Sequence, residues 1–329
     1  MLFSLFGFIL GIILGSFAKV LADRSLKGKS FFGRSYCPDC KHNLGWYDLI
    51  PVFSYILLRG KCRYCHKKIS PEYVLVELVM GILIAFLFYQ TFSNINSSSV
   101  IASHVSERYM AWQSFLNRFL ATLGMTEIVL NYETVKLIFN LIFNTFFITV
   151  LVVITLTDLK KTLIPDRIII PGIWIALVSL CVFTIYRIGY LYWYLNQSAI
   201  GKLLLPPQSD YFARHSFYAV QDLILSGVLT GLGIAGFFMA LIIITKGKGM
   251  GGGDVKLGGF MGLSLGFPGG VLAVVLGFLT GAVSALFLIL IRKKNFGENI
   301  PFGPFLVLGS IVTLFWGQQI IDWYLSLSR

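Results

Sequence analysis

Six side chains in this sequence have the types and spacing that chemistry requires. Cys37-Pro38-Asp39-Cys40 and Cys62-Arg63-Tyr64-Cys65 are two Cys-x-x-Cys knuckles with 21 residues between them, and four thiolates at such spacing close a tetrahedral zinc site. Four protein sulfurs leave no open coordination position, so the role expected of Zn2+ is structural. Asp254 follows three glycines in Gly251-Gly252-Gly253-Asp254-Val255-Lys256, and Asp158 ends an apolar run in Thr157-Asp158-Leu159-Lys160-Lys161. An acid at the centre of a spanning helix costs about 2.5–3.5 kcal/mol on insertion scales, so acids kept near such helices are usually paired and functional. Two carboxylates brought close do not both ionise readily. They share a proton, and the pair then acts as base toward water and as acid toward a leaving amine, the chemistry of an aspartic protease.

Spacing alone leaves three readings open for these acids: a catalytic dyad, a site for substrate or ion, and ion pairing with Lys160, Lys161 or Lys256. Asp166, after Pro165, has a first-turn role available without any function. Gly249, Gly251, Gly252 and Gly253 permit the backbone beside Asp254 to unwind and carry no side chains that would block an extended peptide. The same glycines are also consistent with a flexible loop joining two spans.

The elements that must position these residues are membrane helices. Hydrophobic residues make up 56% of the 329 and charged residues 13%, and mean hydropathy is +0.79, which excludes an ordinary soluble domain. Apolar runs of spanning length recur at 2–20, 74–92, 137–157, 168–188, 223–245, 271–291 and 302–321. A further run at 255–267 reaches only about 20 Å at ~1.5 Å per residue and reads as an eighth, short span, ended by Pro268-Gly269-Gly270. The fold class expected is therefore an all-α polytopic membrane protein of about eight transmembrane helices with a small zinc-ribbon-like insertion. No Lys or Arg precedes the first span and no small-residue cleavage site closes it, so it reads as uncleaved.

Positive charge sets the orientation. Segments 19–77, 158–167, 246–256 and 292–300 hold 20 of the 27 Lys and Arg, which places them, with both acids and the cysteines, on the cytosolic side. The net charge of +12 is thus a topology signal, and no basic-aromatic module points to nucleic acid. A reducing cytosol keeps the four thiols available to a metal; paired disulfides would require the opposite orientation, and a redox pair is the remaining alternative. A loop of this size has little core of its own, so metal binding is expected to supply much of its folding energy. His42 and His66 adjoin the knuckles as substitute ligands, and Cys181, in mid-span, reads as packing. Residues 46–55, rich in aromatic and aliphatic side chains, read as a small ribbon or an interfacial segment. Two long non-cytosolic loops, 93–136 and 189–222, carry no assignable chemistry; Trp112, Trp193 and Tyr194 in them suit the lipid interface. No internal repeat is evident.

Together these motifs resemble the bifunctional prepilin peptidases, or type IV leader peptidases, membrane aspartic proteases with a Gly-x-Gly-Asp signature. The ordered matches are Gly15-Ser16-Phe17, Arg24, Gly33-Arg34-Ser35, both knuckles, Trp46-Tyr47-Asp48 with Ile50-Pro51-Val52, Ser70-Pro71 with Val76-Glu77, Asp158 with Ile164-Pro165-Asp166, Gly251 to Lys256, and Ile300-Pro301-Phe302-Gly303-Pro304. Lys19 stands where the family usually has Asn. The resemblance implies that Asp158 and Asp254 are the catalytic pair, with Asp166 as the substitute for Asp158. It implies cleavage of the basic leader of prepilin or pseudopilin partners after a glycine, at the cytosolic face of a bacterial inner membrane. It further implies methylation of the new N-terminal residue, usually Phe, with S-adenosylmethionine as methyl donor, whose binding residues no Gly-rich motif marks. The organisation expected is a first transmembrane helix at 1–18, a cytosolic zinc-binding domain and methyltransferase part at 19–72, and a transmembrane peptidase domain at 73–329. Two rivals stand: an intramembrane protease of other single-span substrates, and a non-catalytic membrane scaffold whose zinc module docks a partner.

Overall fold

A computed structural model of the chain describes residues 2–31, 33–105, 132–197, 199–247, 250–291 and 301–327. Eight long helices carry it: α1 (Leu2–Leu26), α2 (Glu72–Val105), α3 (Tyr132–Lys161), α4 (Asp166–Asn196), α5 (Tyr211–Ile244), α6 (Gly252–Leu265), α7 (Gly269–Leu290) and α8 (Gly303–Leu327). No strand longer than an isolated bridge occurs among the described residues. In hydrocarbon each backbone polar group must find its partner internally, which is why the apolar runs close into helices. Seven of the eight are long and apolar enough to cross a membrane. The eighth, α6, has 14 residues and at ~1.5 Å each spans about 21 Å, the short element expected at this place.

Small residues draw the helices together. On α1, a Cβ added at Gly11 would meet the Met80 carbonyl oxygen at 2.6 Å, and one at Gly15 would meet Glu77 Cα at 2.8 Å, so α1 and α2 approach backbone to backbone. Gly309 of α8 meets Ala273 of α7 in the same way, and Gly262 of α6 meets Gly231 of α5. With α4, α5, α7 and α8 all packed against it, α6 buries Leu257, Phe260 and Met261 completely. A short helix that begins with a carboxylate is thus enclosed by protein instead of lipid.

The regions expected as loops at 93–136 and 189–222 are largely helical where described. Helix α2 continues to Val105, α4 continues to Asn196 with Trp193 and Tyr194 exposed, and α5 begins at Tyr211. Polar and charged residues lower hydropathy there without interrupting backbone hydrogen bonding, so the helices outrun their apolar runs. Trp112 lies outside the described residues. Helix α1 likewise continues to Leu26, with Lys19 paired to Asp23 and Glu72.

Candidate active site

Asp158 sits in the last turn of α3 and is buried, at 5% exposure. Its Oδ2 accepts a hydrogen bond of 3.0 Å from the backbone N–H of Gly303, the first residue of α8. The first N–H groups of a helix have no intrahelical partner and favour negative charge, so the start of α8 is a natural seat for this carboxylate. A side chain at 303 would occupy that seat: an added Cβ falls 2.6 Å from Asp158 Oδ2.

Asp254 is the third residue of α6 and half-buried. Its carboxylate reaches back to accept the N–H of Gly251 at 3.3 Å, the reach-back half of a capping box. Gly251 itself is extended, and regular helix begins at Gly252. A Cβ at Gly251 or Gly252 would meet nothing within 4 Å, whereas one at Gly253 would meet Ile164 Cβ at 3.0 Å. The glycine run therefore does two things: it leaves open space before the acid, and at Gly253 it lets α6 press on the turn between α3 and α4. Gly249 lies outside the described residues.

The elements that carry the two acids pack on each other: Gly253, beside Asp254, faces Ile164 in the turn that follows Asp158, and α3 and α6 touch through the Phe147 and Phe260 rings, with centroids 5.3 Å apart. The lysines that might have neutralised the pair are engaged elsewhere. Lys160 bridges Asp23 at 2.9 Å and Glu72 at 3.1 Å, Lys161 reaches the Leu26 carbonyl, and Lys256 pairs with Asp166. Neither acid of the pair has a cation partner among the described residues. Asp166 is the opposite case, exposed at the start of α4 and salt-bridged.

A second charge cluster beside the site was not anticipated. Lys19, 1% exposed, pairs with Asp23 at 3.0 Å and Glu72 at 3.3 Å, lies over the Tyr73 ring, and shares both acids with Lys160. Five side chains from α1, α2 and α3 thus form one network, two residues along α3 from Asp158. The i, i+4 spacing of Lys19 and Asp23 was the available signal; their partnership with residues 72 and 160 had none. Arg24, matched in sequence without a role, donates to the carbonyls of Phe31, Gly33 and Arg34 and fastens the chain as it leaves α1. Glu77 accepts the Val52 N–H at 2.8 Å and ties the insertion to α2.

The knuckles fold alike. Cys37 N–H donates to His42 and Lys41 N–H to Cys37; Cys62 N–H donates to Lys67 and His66 N–H to Cys62. Lys41 and His66 both take the left-handed conformation, and isolated bridges Tyr36–Asn43 and Lys61–Lys68 flank the two turns. The insertion is therefore a two-fold structural repeat, hidden in sequence because only the cysteines persist. The four Sγ atoms lie within 4.8 Å of one another, with Cys37 and Cys65 at 3.9 Å. Tetrahedral ZnS4 with Zn–S of ~2.3 Å needs S···S of about 3.8 Å, so the residues fit the metal. All five cysteines are free. The His42 and Tyr64 rings lie tilted against each other with centroids 3.7 Å apart, and neither His42 nor His66 joins the sulfur cluster.

Comparison with known proteins covers both parts of the chain. The description "Bacterial Peptidase A24 N-terminal domain" matches residues 9–91, and "Type IV leader peptidase family" matches residues 145–286. A protein of Aeromonas salmonicida named prepilin leader peptidase/N-methyltransferase is 29% identical over 89% of this chain and 75% of its own length. Proteins of the same name from Pseudomonas aeruginosa and Bacillus subtilis are 25% and 27% identical, covering 89% and 98% of this chain and 74% and 97% of their own. No solved structure matches.

Proposed function

As the chain belongs to the type IV leader peptidase family, we propose that it cleaves the leader of prepilin-like precursors and methylates the new N-terminus, with Asp158 and Asp254 as the cleaving pair. The observation that carries this reading is the buried Asp158, held by a backbone N–H and without a counter-cation among the described residues, with Asp254 next to Gly253, which packs on the turn that follows Asp158. One carboxylate of such a pair holds a proton while the other is ionised. The ionised one takes a proton from water as the oxygen attacks the scissile carbonyl, and the protonated one supplies a proton to the departing amine. No covalent intermediate forms. The Gly303 N–H fixes Asp158 before substrate arrives, and open space at Gly251 and Gly252 leaves room for an extended peptide.

The site faces the cytosol on the charge distribution, which is where a leader with basic residues emerges. Zn2+ held by Cys37, Cys40, Cys62 and Cys65 has a structural part and takes no step in cleavage. S-adenosylmethionine enters as the co-substrate of methyl transfer.

The test is direct. Purified protein in lipid nanodiscs is given a synthetic precursor with a basic leader and an apolar helix, and in parallel an unrelated spanning peptide; products are read by mass spectrometry. Cleavage of the first at one bond, with a 14-Da gain on the product when S-adenosylmethionine is present, is expected. Equal cleavage of the unrelated peptide favours a general intramembrane protease, and cleavage of neither favours a scaffold.

A further inference from the structure

We infer that residues 46–57 are a foot by which the zinc insertion is embedded in the cytosolic leaflet of the membrane. The inference goes beyond the peptidase reading and does not rest on it. The segment consists of a 3-10 turn (Trp46–Leu49) and a short helix (Phe53–Leu57). Trp46, Phe53, Ile56 and Leu57 are 78%, 64%, 64% and 80% exposed, so nothing in the chain covers them where described. In water a patch of this kind is unfavourable.

Two contacts tie it to the membrane end of the bundle. The network of Lys19, Asp23, Glu72 and Lys160 marks the polar boundary at the ends of α1, α2 and α3. Glu77 lies five residues further along α2 than Glu72, which at ~1.5 Å per residue is about 7.5 Å toward the membrane centre. Helix α1 gives the same answer from the other side: Lys19 meets Glu72, whereas Gly15, one turn deeper, meets Glu77. The Val52 N–H is bonded to Glu77 at 2.8 Å, and the short helix starts at the next residue. Phe53 to Leu57 therefore begin one glutamate side chain away from α2, a helix that exposes Leu75, Leu78 and Val79 on its own surface at the same stretch of sequence. The apolar patch is thereby tied to a spanning helix within that helix's own apolar run.

Charge supports the same occupant. Residues 27–68 carry nine Lys and Arg against Asp39 and Asp48, and those two acids are taken up by Lys67 and Arg63. An apolar face framed by excess positive charge is the pattern of a segment lying in an anionic headgroup layer. The foot holds the knuckles against the membrane surface at the mouth of the bundle.

Full-length protein in nanodiscs of phosphatidylethanolamine and phosphatidylglycerol, with a benzophenone amino acid replacing Phe53 or Leu57, is irradiated and digested for mass spectrometry. Acyl-chain adducts at both positions, at least fivefold above those at Asp39 or Lys68 on the knuckles, are expected, with zinc content equal to the parent's. Adducts to a second copy of the chain or to an added precursor peptide, or adducts no more frequent than at the knuckles, would overturn the inference. Should the benzophenone variants lose zinc, Trp46→Phe gives the same answer. The emission removed by that substitution is the emission that brominated lipid quenches if the foot is embedded, and is insensitive to it if not.

Discussion

Replacing Gly303 by Ala tests the seat of Asp158 with one methyl group. Gly303 has no positive φ, so the backbone accepts Ala, and the whole effect falls on the neighbour. The added Cβ would lie 2.6 Å from Asp158 Oδ2 and 3.2 Å from its Cγ, where ordinary contact begins at 3.4 Å. The carboxylate must therefore retreat by roughly 0.8 Å and stretch or lose its bond to the Gly303 N–H. A misplacement of about 1 Å costs on the order of 100-fold in well-oriented reactions, so kcat/KM for leader cleavage is expected to fall ~10–100-fold, about 1.4–2.7 kcal/mol of barrier. The assay is cleavage of the synthetic precursor in nanodiscs, with zinc content and methylation of pre-cleaved product as measures of intact structure. Gly236→Ala is the control, since a Cβ there meets nothing within 4 Å, and it should cleave at the parent's rate. Parental cleavage by Gly303→Ala would refute the argument that the start of α8 positions the catalytic acid.

Other expectations follow from the same contacts. Lys19→Met leaves Asp23 and Glu72 sharing Lys160 alone. Breaking a buried pair costs 3–5 kcal/mol, but these acids are 24% and 35% exposed, so about 2 kcal/mol is expected, read as a lower thermal unfolding midpoint in detergent, with part recovered by adding Glu72→Gln. An unchanged midpoint would mean that the network contributes no stability. Metal analysis should find about one zinc per chain, absent after Cys37→Ser/Cys62→Ser, since four sulfurs make one tetrahedral site; retention of zinc in that variant would remove the cysteines as ligands.

Much of this architecture was legible because hydropathy acts over whole helices. Seven spans and a short eighth follow from run lengths alone, and the knuckles follow from cysteine spacing. What sequence could not supply were contacts between residues far apart in the chain. The Asp158–Gly303 bond joins positions 145 residues apart, and Lys160 meets Asp23 across 137; no local pattern encodes either. Family resemblance marked Gly303, Arg24 and Glu77 as residues of interest, and the structure supplied their work as a seat, a clasp and a tether. The helical backbone of α2, α4 and α5 within the expected non-cytosolic connections was not legible for a different reason. Hydropathy reports what the lipid contacts, while backbone hydrogen bonding decides where a helix ends.

The central claim, that Asp158 and Asp254 cleave as a pair, is tested most directly by single-turnover cleavage of the precursor with Asp158→Asn, Asp254→Asn and the double variant. Methylation of pre-cleaved product serves in the same samples as the measure of folding. Each single variant is expected to lose cleavage by on the order of 1,000-fold or more, with the double variant no worse than either, because residues acting as a unit are not additive. Cleavage within tenfold of the parent by either single variant, or loss on Asp166→Asn with Asp158→Asn still active, would contradict it.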